Sequence, residues 1–206
     1  MNETTKHRPR RRAGKNVHRK SAISKPTVKP AVKSEIPKLS GNIVLCGFMG
    51  CGKTSVGKRV AKLLGRQFCD LDHYIEKKAG MTVTEIFAKE GEAGFRAREA
   101  QAVEEVAAQQ GLVIASGGGT VLSQKNVDCF HRYGGKILFL DVPVPALQER
   151  LKNDKRRPLL QRPDRREFIA SLWEQRCPLY RAAADVIIDG GAPAVVVARR
   201  VAAPFQ

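Results

Sequence analysis

The chain has 206 residues, 42% of them apolar, which suits one domain with a sizeable core and argues against two full domains. Its formal charge of +17 is uneven, because residues 1–40 carry 12 Lys/Arg against 2 acids and so hold most of the excess. Five cysteines without a Cys-x-x-Cys pair argue against a disulfide framework or a zinc knuckle, and apolar runs as short as residues 137–140 argue against a membrane span or a secretory signal.

Residues 1–40 contain no Phe, Trp or Tyr, four prolines and a Lys-Pro repeat at Lys25-Pro26 and Lys29-Pro30. Such a segment cannot bury enough surface to offset the entropy of ordering. A disordered basic extension is expected there, with a nucleic-acid-touching arm or a transit peptide as alternatives. From residue 41 the texture changes. Apolar runs at Ile43–Cys46, Leu112–Ala115, 137–140 and 186–188 alternate with longer stretches of helical period, and a further strand over 67–71 makes five. That alternation predicts an α/β domain over 41–206, built on a parallel sheet covered on both faces. After the first strand, Val56, Val60, Leu63 and Leu64 form one stripe of a helix closed by Gly65. Thr82 with Glu85 reads as a capping box opening another helix, and residues 92–110 read as a third, longer one stopped by Gly111.

Between the first strand and its helix, Gly47-Phe48-Met49-Gly50-Cys51-Gly52-Lys53-Thr54 matches G-x-x-x-x-G-K-[ST]. Glycines let backbone N–H groups curl around phosphates, the lysine reaches the β- and γ-phosphates, and the threonine hydroxyl suits Mg²⁺. Asp70-Leu71-Asp72 falls at the end of the second strand, where period two would send both carboxylates to one side. Acids at the carboxyl edge of an open sheet can divide the work between a metal ion and an attacking hydroxyl, although a pair of surface acids is the plain alternative. Arg96 and Glu99 are i, i+3 neighbours, so the acid can hold a guanidinium whose fork faces a ligand carboxylate. Ser116-Gly117-Gly118-Gly119 follows a buried strand, where missing side chains permit close backbone approach or simply a tight turn. Residues 150–166 hold eight Lys/Arg against two acids around Arg157-Pro158-Leu159-Leu160, which reads as a cationic flap over polyphosphate or a solvated basic loop.

In this order the P-loop, Asp70-Leu71-Asp72 with Ile75-Glu76, Gly94-Phe95-Arg96, Ser116-Gly117-Gly118-Gly119, Arg157-Pro158-Leu159-Leu160 and Arg176-Cys177-Pro178-Leu179-Tyr180 together resemble the shikimate kinase family. The resemblance covers residues 42 to about 198. It implies a nucleoside-monophosphate-kinase-like fold with a central five-stranded parallel sheet, and ATP-dependent phosphorylation of the 3-hydroxyl of shikimate in aromatic amino-acid biosynthesis. It also implies site residues. Gly50, Cys51, Gly52, Lys53, Thr54 and Ser55 would hold ATP, with Arg157 closing from the lid and Arg150 and Pro193 near adenine. Asp72 would bind the shikimate hydroxyls and act as base, and Lys53 and Arg157 would serve the transferring phosphoryl group. Asp70 would hold Mg²⁺ with Thr54. Arg96 and Arg176 would grip the shikimate carboxylate, and Gly118 and Gly119 would offer backbone donors.

Shikimate and ATP are therefore the expected partners of a cytoplasmic monomer, with no membrane contact and nucleic acid met, if at all, through the basic extension. Gluconate kinase is the rival enzyme reading, opposed by the triple glycine and the paired aspartates. A P-loop module that binds nucleic acid and uses ATP as a switch is the rival from another class, opposed by the absence of aromatic residues among the charges of the extension. His7, His18, His73 and His131 show no metal-ligand spacing.

Overall fold

The structure is a computed structural model and describes residues 41–154 and 157–206, so the extension expected over 1–40 lies outside the described residues. Among the described residues, twelve helices and strands follow in chain order: β1 (Ile43–Cys46), α1 (Lys53–Leu64), β2 (Gln67–Asp70), α2 (Leu71–Ala79), α3 (Val83–Ala107), β3 (Leu112–Ala115), α4 (Gln124–Arg132), β4 (Lys136–Asp141), α5 (Val144–Leu151), α6 (Arg165–Ala183), β5 (Val186–Asp189) and α7 (Ala194–Ala202), with short 3₁₀ turns after some of them. The strands make one parallel five-stranded sheet in the order β2-β3-β1-β4-β5. Every residue of β1 and β3 is buried, as are the four central residues of β4, which is what near-continuous apolar strands require when helices cover both faces. Among the described residues no helix is long and apolar enough to cross a membrane.

Register places the site. Leu45 pairs with Ala115, and Ala115 pairs with Asp70, so one row across β1, β3 and β2 ends beside three loops at the same edge. These are the P-loop, the 116–119 glycine loop and the entry to α2. On the other side of β1, Asp141 pairs with Asp189, which brings the loops after β4 and β5 to the same edge.

Two expectations are corrected. The strand over 67–71 stops at Asp70, and Leu71 opens α2, so Asp72 lies in the first helical turn and not on a strand. Asp70 is the reason: its carboxylate accepts from the His73 backbone N–H and caps the helix. The helix over 92–110 is in fact the second half of α3, which begins at Val83 under the Thr82–Glu85 capping box, breaks at Gly91 and ends at Ala107. Its end is set from outside. The Asn42 side chain donates to the carbonyls of Ala107 (3.1 Å) and Gln109 (2.6 Å) and accepts from Leu112 N–H (2.9 Å), taking up backbone groups where the helix stops and β3 starts.

Candidate active site

The P-loop turns through positive φ at Gly47, Gly50 and Gly52 (138°, 78° and 102°), values that side chains with a Cβ rarely adopt. Lys53, the first residue of α1, folds back so that Nζ donates to the carbonyls of Gly47 (2.8 Å) and Phe48 (3.1 Å). Its ammonium is thereby held over the loop at the helix N-terminus, where anions are favoured. Next to it, Thr54 Oγ1 donates to Asp70 Oδ2 at 2.8 Å, so the last residue of β2 meets the first turn of α1. A hydroxyl and a carboxylate at this distance, beside a phosphate-binding loop, are the hard oxygen donors that Mg²⁺ takes.

The cleft above these residues has a volume of about 320 Å³ and is bounded by the P-loop, Asp70, Asp72, Ser116, Gly118 and Arg157. Burial pushes the Asp72 carboxyl up to about 6; Lys53 pulls it down, and Asp70, Glu99 and Glu76 push it further up. A carboxylate poised there is still ionised at neutral pH and is a better proton acceptor than a free aspartate.

Beyond Asp72 the glycine loop packs against α3. Arg96 donates to Glu99 (2.7 Å), and Glu99, 1% exposed, also accepts from Thr120 Oγ1 at 2.7 Å. The rest of the guanidinium meets Glu92, at 3.3 Å on the solvent side. A Cβ on Gly119 would come within 2.7 Å of Arg96 Nη2, and one on Gly117 within 2.8 Å of Asp72 Oδ1. Two of the three glycines thus lie in close approach to the very side chains the sequence singles out, so a side chain at either would displace the Arg96 or Asp72 head group. Arg176, on α6, lies beside the phenol of Tyr180, whose hydroxyl donates to the Gly118 carbonyl at 2.6 Å. Arg96 and Arg176, 80 positions apart in the chain, flank one four-residue loop.

The family model described as shikimate kinase matches residues 49–203. The chain belongs to the shikimate kinase family. The shikimate kinase of Aromatoleum aromaticum is 49% identical over 149 residues, covering 72% of this chain and 85% of that one. The shikimate kinase of Nitrosomonas europaea is 42% identical over 158 residues, covering 77% of this chain and 74% of that one. The solved structure of a shikimate kinase from Acinetobacter baumannii in complex with shikimate superposes with a TM-score of 0.74 at 41% identity, over 80% of this chain and 92% of that one. A gluconokinase from Sinorhizobium meliloti reaches a TM-score of 0.52 at 19% identity, a likeness of fold alone.

In this kinase the far side of the P-loop opens on a second cavity, of about 400 Å³, lined by Arg150, Ser55, Gly190 and Pro193 among others. Arg150 spans it, donating to Cys51 O (3.3 Å) and Gly190 O (3.2 Å), so the two residues that sequence alone anchored least do meet at one pocket beside the P-loop. Arg157 reaches the first cleft and also pairs with Asp154 within the basic segment. All five cysteines are free thiols, and burial pushes Cys46 and Cys129 up to about 12 and Cys69 to about 11. Sequence reading missed Thr120, which carries no periodic or motif signal, and gave Gly117 no role of its own; both matter through neighbours far along the chain.

Proposed function

We propose that this kinase transfers the γ-phosphoryl group of ATP to the 3-hydroxyl of shikimate, giving shikimate 3-phosphate and ADP. The observation that carries the reading is the position of Asp72, a carboxylate raised to about 6, between the P-loop lysine and a glycine loop flanked by Arg96 and Arg176. ATP lies with its phosphates on residues 50–55 and its base in the cavity of Arg150 and Pro193. Shikimate lies with its carboxylate on Arg96 and Arg176, as its hydroxyls reach Asp72 and backbone N–H groups of Gly118 and Gly119 come within range of the ring. Asp72 takes the proton of the 3-hydroxyl as its oxygen bonds to the γ-phosphorus; the bond from that phosphorus to the β–γ bridging oxygen breaks, and the electron pair leaves with ADP. Lys53 and Arg157 neutralise charge on the phosphoryl oxygens in flight.

Thr54 and Asp70 would hold Mg²⁺, and the pair they form at 2.8 Å fits that ion's preference for a few hard oxygen ligands with water and phosphate completing the shell. When bound, Mg²⁺ supplies charge neutralisation and alignment of the β- and γ-phosphates. Five free thiols support a reducing compartment such as the cytoplasm. Any nucleic-acid contact falls to the basic extension.

Coupled ADP release with shikimate, gluconate and nucleic acid supplied separately tests the reading. ADP is expected with shikimate alone; turnover with either of the others and none with shikimate overturns it. Arg96→Ala and Arg176→Ala should each lower kcat/KM for shikimate by roughly 10- to 150-fold, the worth of a charge-assisted contact. Shikimate methyl ester is the control: the double variant should lose most of the preference for acid over ester, and full retention of that preference would remove these arginines from carboxylate binding.

A further inference from the structure

A run of three glycines has the most backbone freedom of any tripeptide, and a loop that presents N–H groups to a ligand must lose it. Two of the three are held by their surroundings. Gly117 O accepts from Thr120 N (3.3 Å) and Ser116 Oγ (3.2 Å), and Gly119 O accepts from Leu122 N (3.1 Å), each with side chains packed close to its Cα. Gly118 differs. A Cβ added there would meet nothing within 4 Å, and its carbonyl accepts from a side chain on another element, the Tyr180 hydroxyl at 2.6 Å.

Tyr180 is itself fixed. It is 0% exposed, and its ring stacks on Phe139 of β4 with centroids 5.4 Å apart. Burial pushes the phenol to about 12, with Arg176 pulling the other way, so the hydroxyl remains a donor throughout the working pH range. Arg176 and Tyr180 are i, i+4 neighbours on α6, and the guanidinium lies beside the same hydroxyl.

We propose that Tyr180 is a positioning residue: its hydroxyl ties the Gly118–Gly119 peptide to α6, so that the Gly119 N–H and the Arg176 guanidinium are presented to one end of the substrate at a set separation. The inference rests on the substrate reading above. A hydrogen bond on the Gly118 carbonyl fixes the plane of that peptide and polarises it, which aims and strengthens the N–H on its other side. The energy is realised on binding the acceptor substrate and is the same before and during phosphoryl transfer, so it should appear in KM and not in kcat.

Tyr180→Phe keeps the ring on Phe139 and removes the hydroxyl. The expected result is a rise in the shikimate KM of about 3- to 10-fold, with kcat and the ATP KM within about twofold of the parent. Combined with Arg176→Ala, the two effects on shikimate binding should be less than additive. A Tyr180→Phe variant with an unchanged shikimate KM overturns the proposal when Arg176→Ala raises it. A variant with a lower Tm and equal losses for both substrates also overturns it, because Tyr180 would then be a core residue only. If Arg96→Ala and Arg176→Ala both leave shikimate binding untouched, the substrate reading has failed, and this inference falls with it.

Discussion

Asp72 is half-buried among Asp70, Glu99 and Glu76, and loss of solvation is the largest influence on it, ahead of the Lys53 charge that favours its ionised form. Its carboxyl therefore moves from 3.8 to about 6 on folding. Between those values the folded chain holds more protons than the unfolded one, so this group's contribution to stability is full below pH 3.8 and is lost as pH rises through about 6. Two outcomes follow at opposite ends of the trade. The kcat/KM for shikimate should fall as pH drops through about 6 and the base takes up a proton. Asp72→Asn should lose roughly 10²- to 10⁴-fold in turnover, yet be more stable than the parent at pH 8 by about 1–3 kcal/mol, with the two proteins converging below pH 4. Denaturant melts at both pH values check this; a variant no more stable than the parent at pH 8 contradicts the burial account.

On the proposed reading, α3 aims the acceptor side. At Gly91 its backbone takes φ 68° and ψ −173°, a region that is essentially glycine's alone, and the helix changes direction there. Arg98 grips Glu90 through two hydrogen bonds of 2.8 Å across the break, and Phe87 stacks on Phe95 at 4.7 Å, so the two halves are pinned at one angle. The second half carries Arg96 and Glu99 to the glycine loop. Gly91→Ala should cost about 1–3 kcal/mol in backbone strain, and a lower Tm by about 2–10 °C should accompany a raised shikimate KM. The ATP KM should not move, because α3 lines neither the P-loop nor the cavity of Arg150. An unchanged Tm with unchanged constants would mean that the break is tolerated by any residue.

At the scale of the whole molecule, the site motifs all lie after Asn42, and the strongly basic segment over residues 1–40 carries none of them in its sequence. Deleting residues 1–38 should leave kcat and both KM values within about twofold, since the deleted stretch carries none of the site motifs and too few apolar residues to support a core. A tenfold loss of kcat/KM would place the extension in the site. Retention of the full chain on a DNA column should fall steeply between low and moderate salt and disappear with the deletion, as expected for contacts made through Lys and Arg alone.

What the sequence by itself determined was contiguous. The P-loop, the capping box of Thr82 and Glu85, the helix stop at Gly65 and the buried strands all depend on neighbours a few residues away, and each lies where periodicity and motif spacing placed it. The Arg96–Glu99 pair was legible for the same reason. Tertiary structure decided the rest. Asp72 faces the cleft from a helix and not from a strand, because Asp70 caps that helix with its carboxylate as it accepts from Thr54. α3 ends at Ala107 because Asn42, some 65 positions away, satisfies its last carbonyl. Gly117 and Gly119 lie under the head groups of Asp72 and Arg96, which arrive from other elements, and Gly118 meets Tyr180 from α6. Such contacts depend on which strands are paired and in what register, a property of the closed sheet that no local window of residues contains.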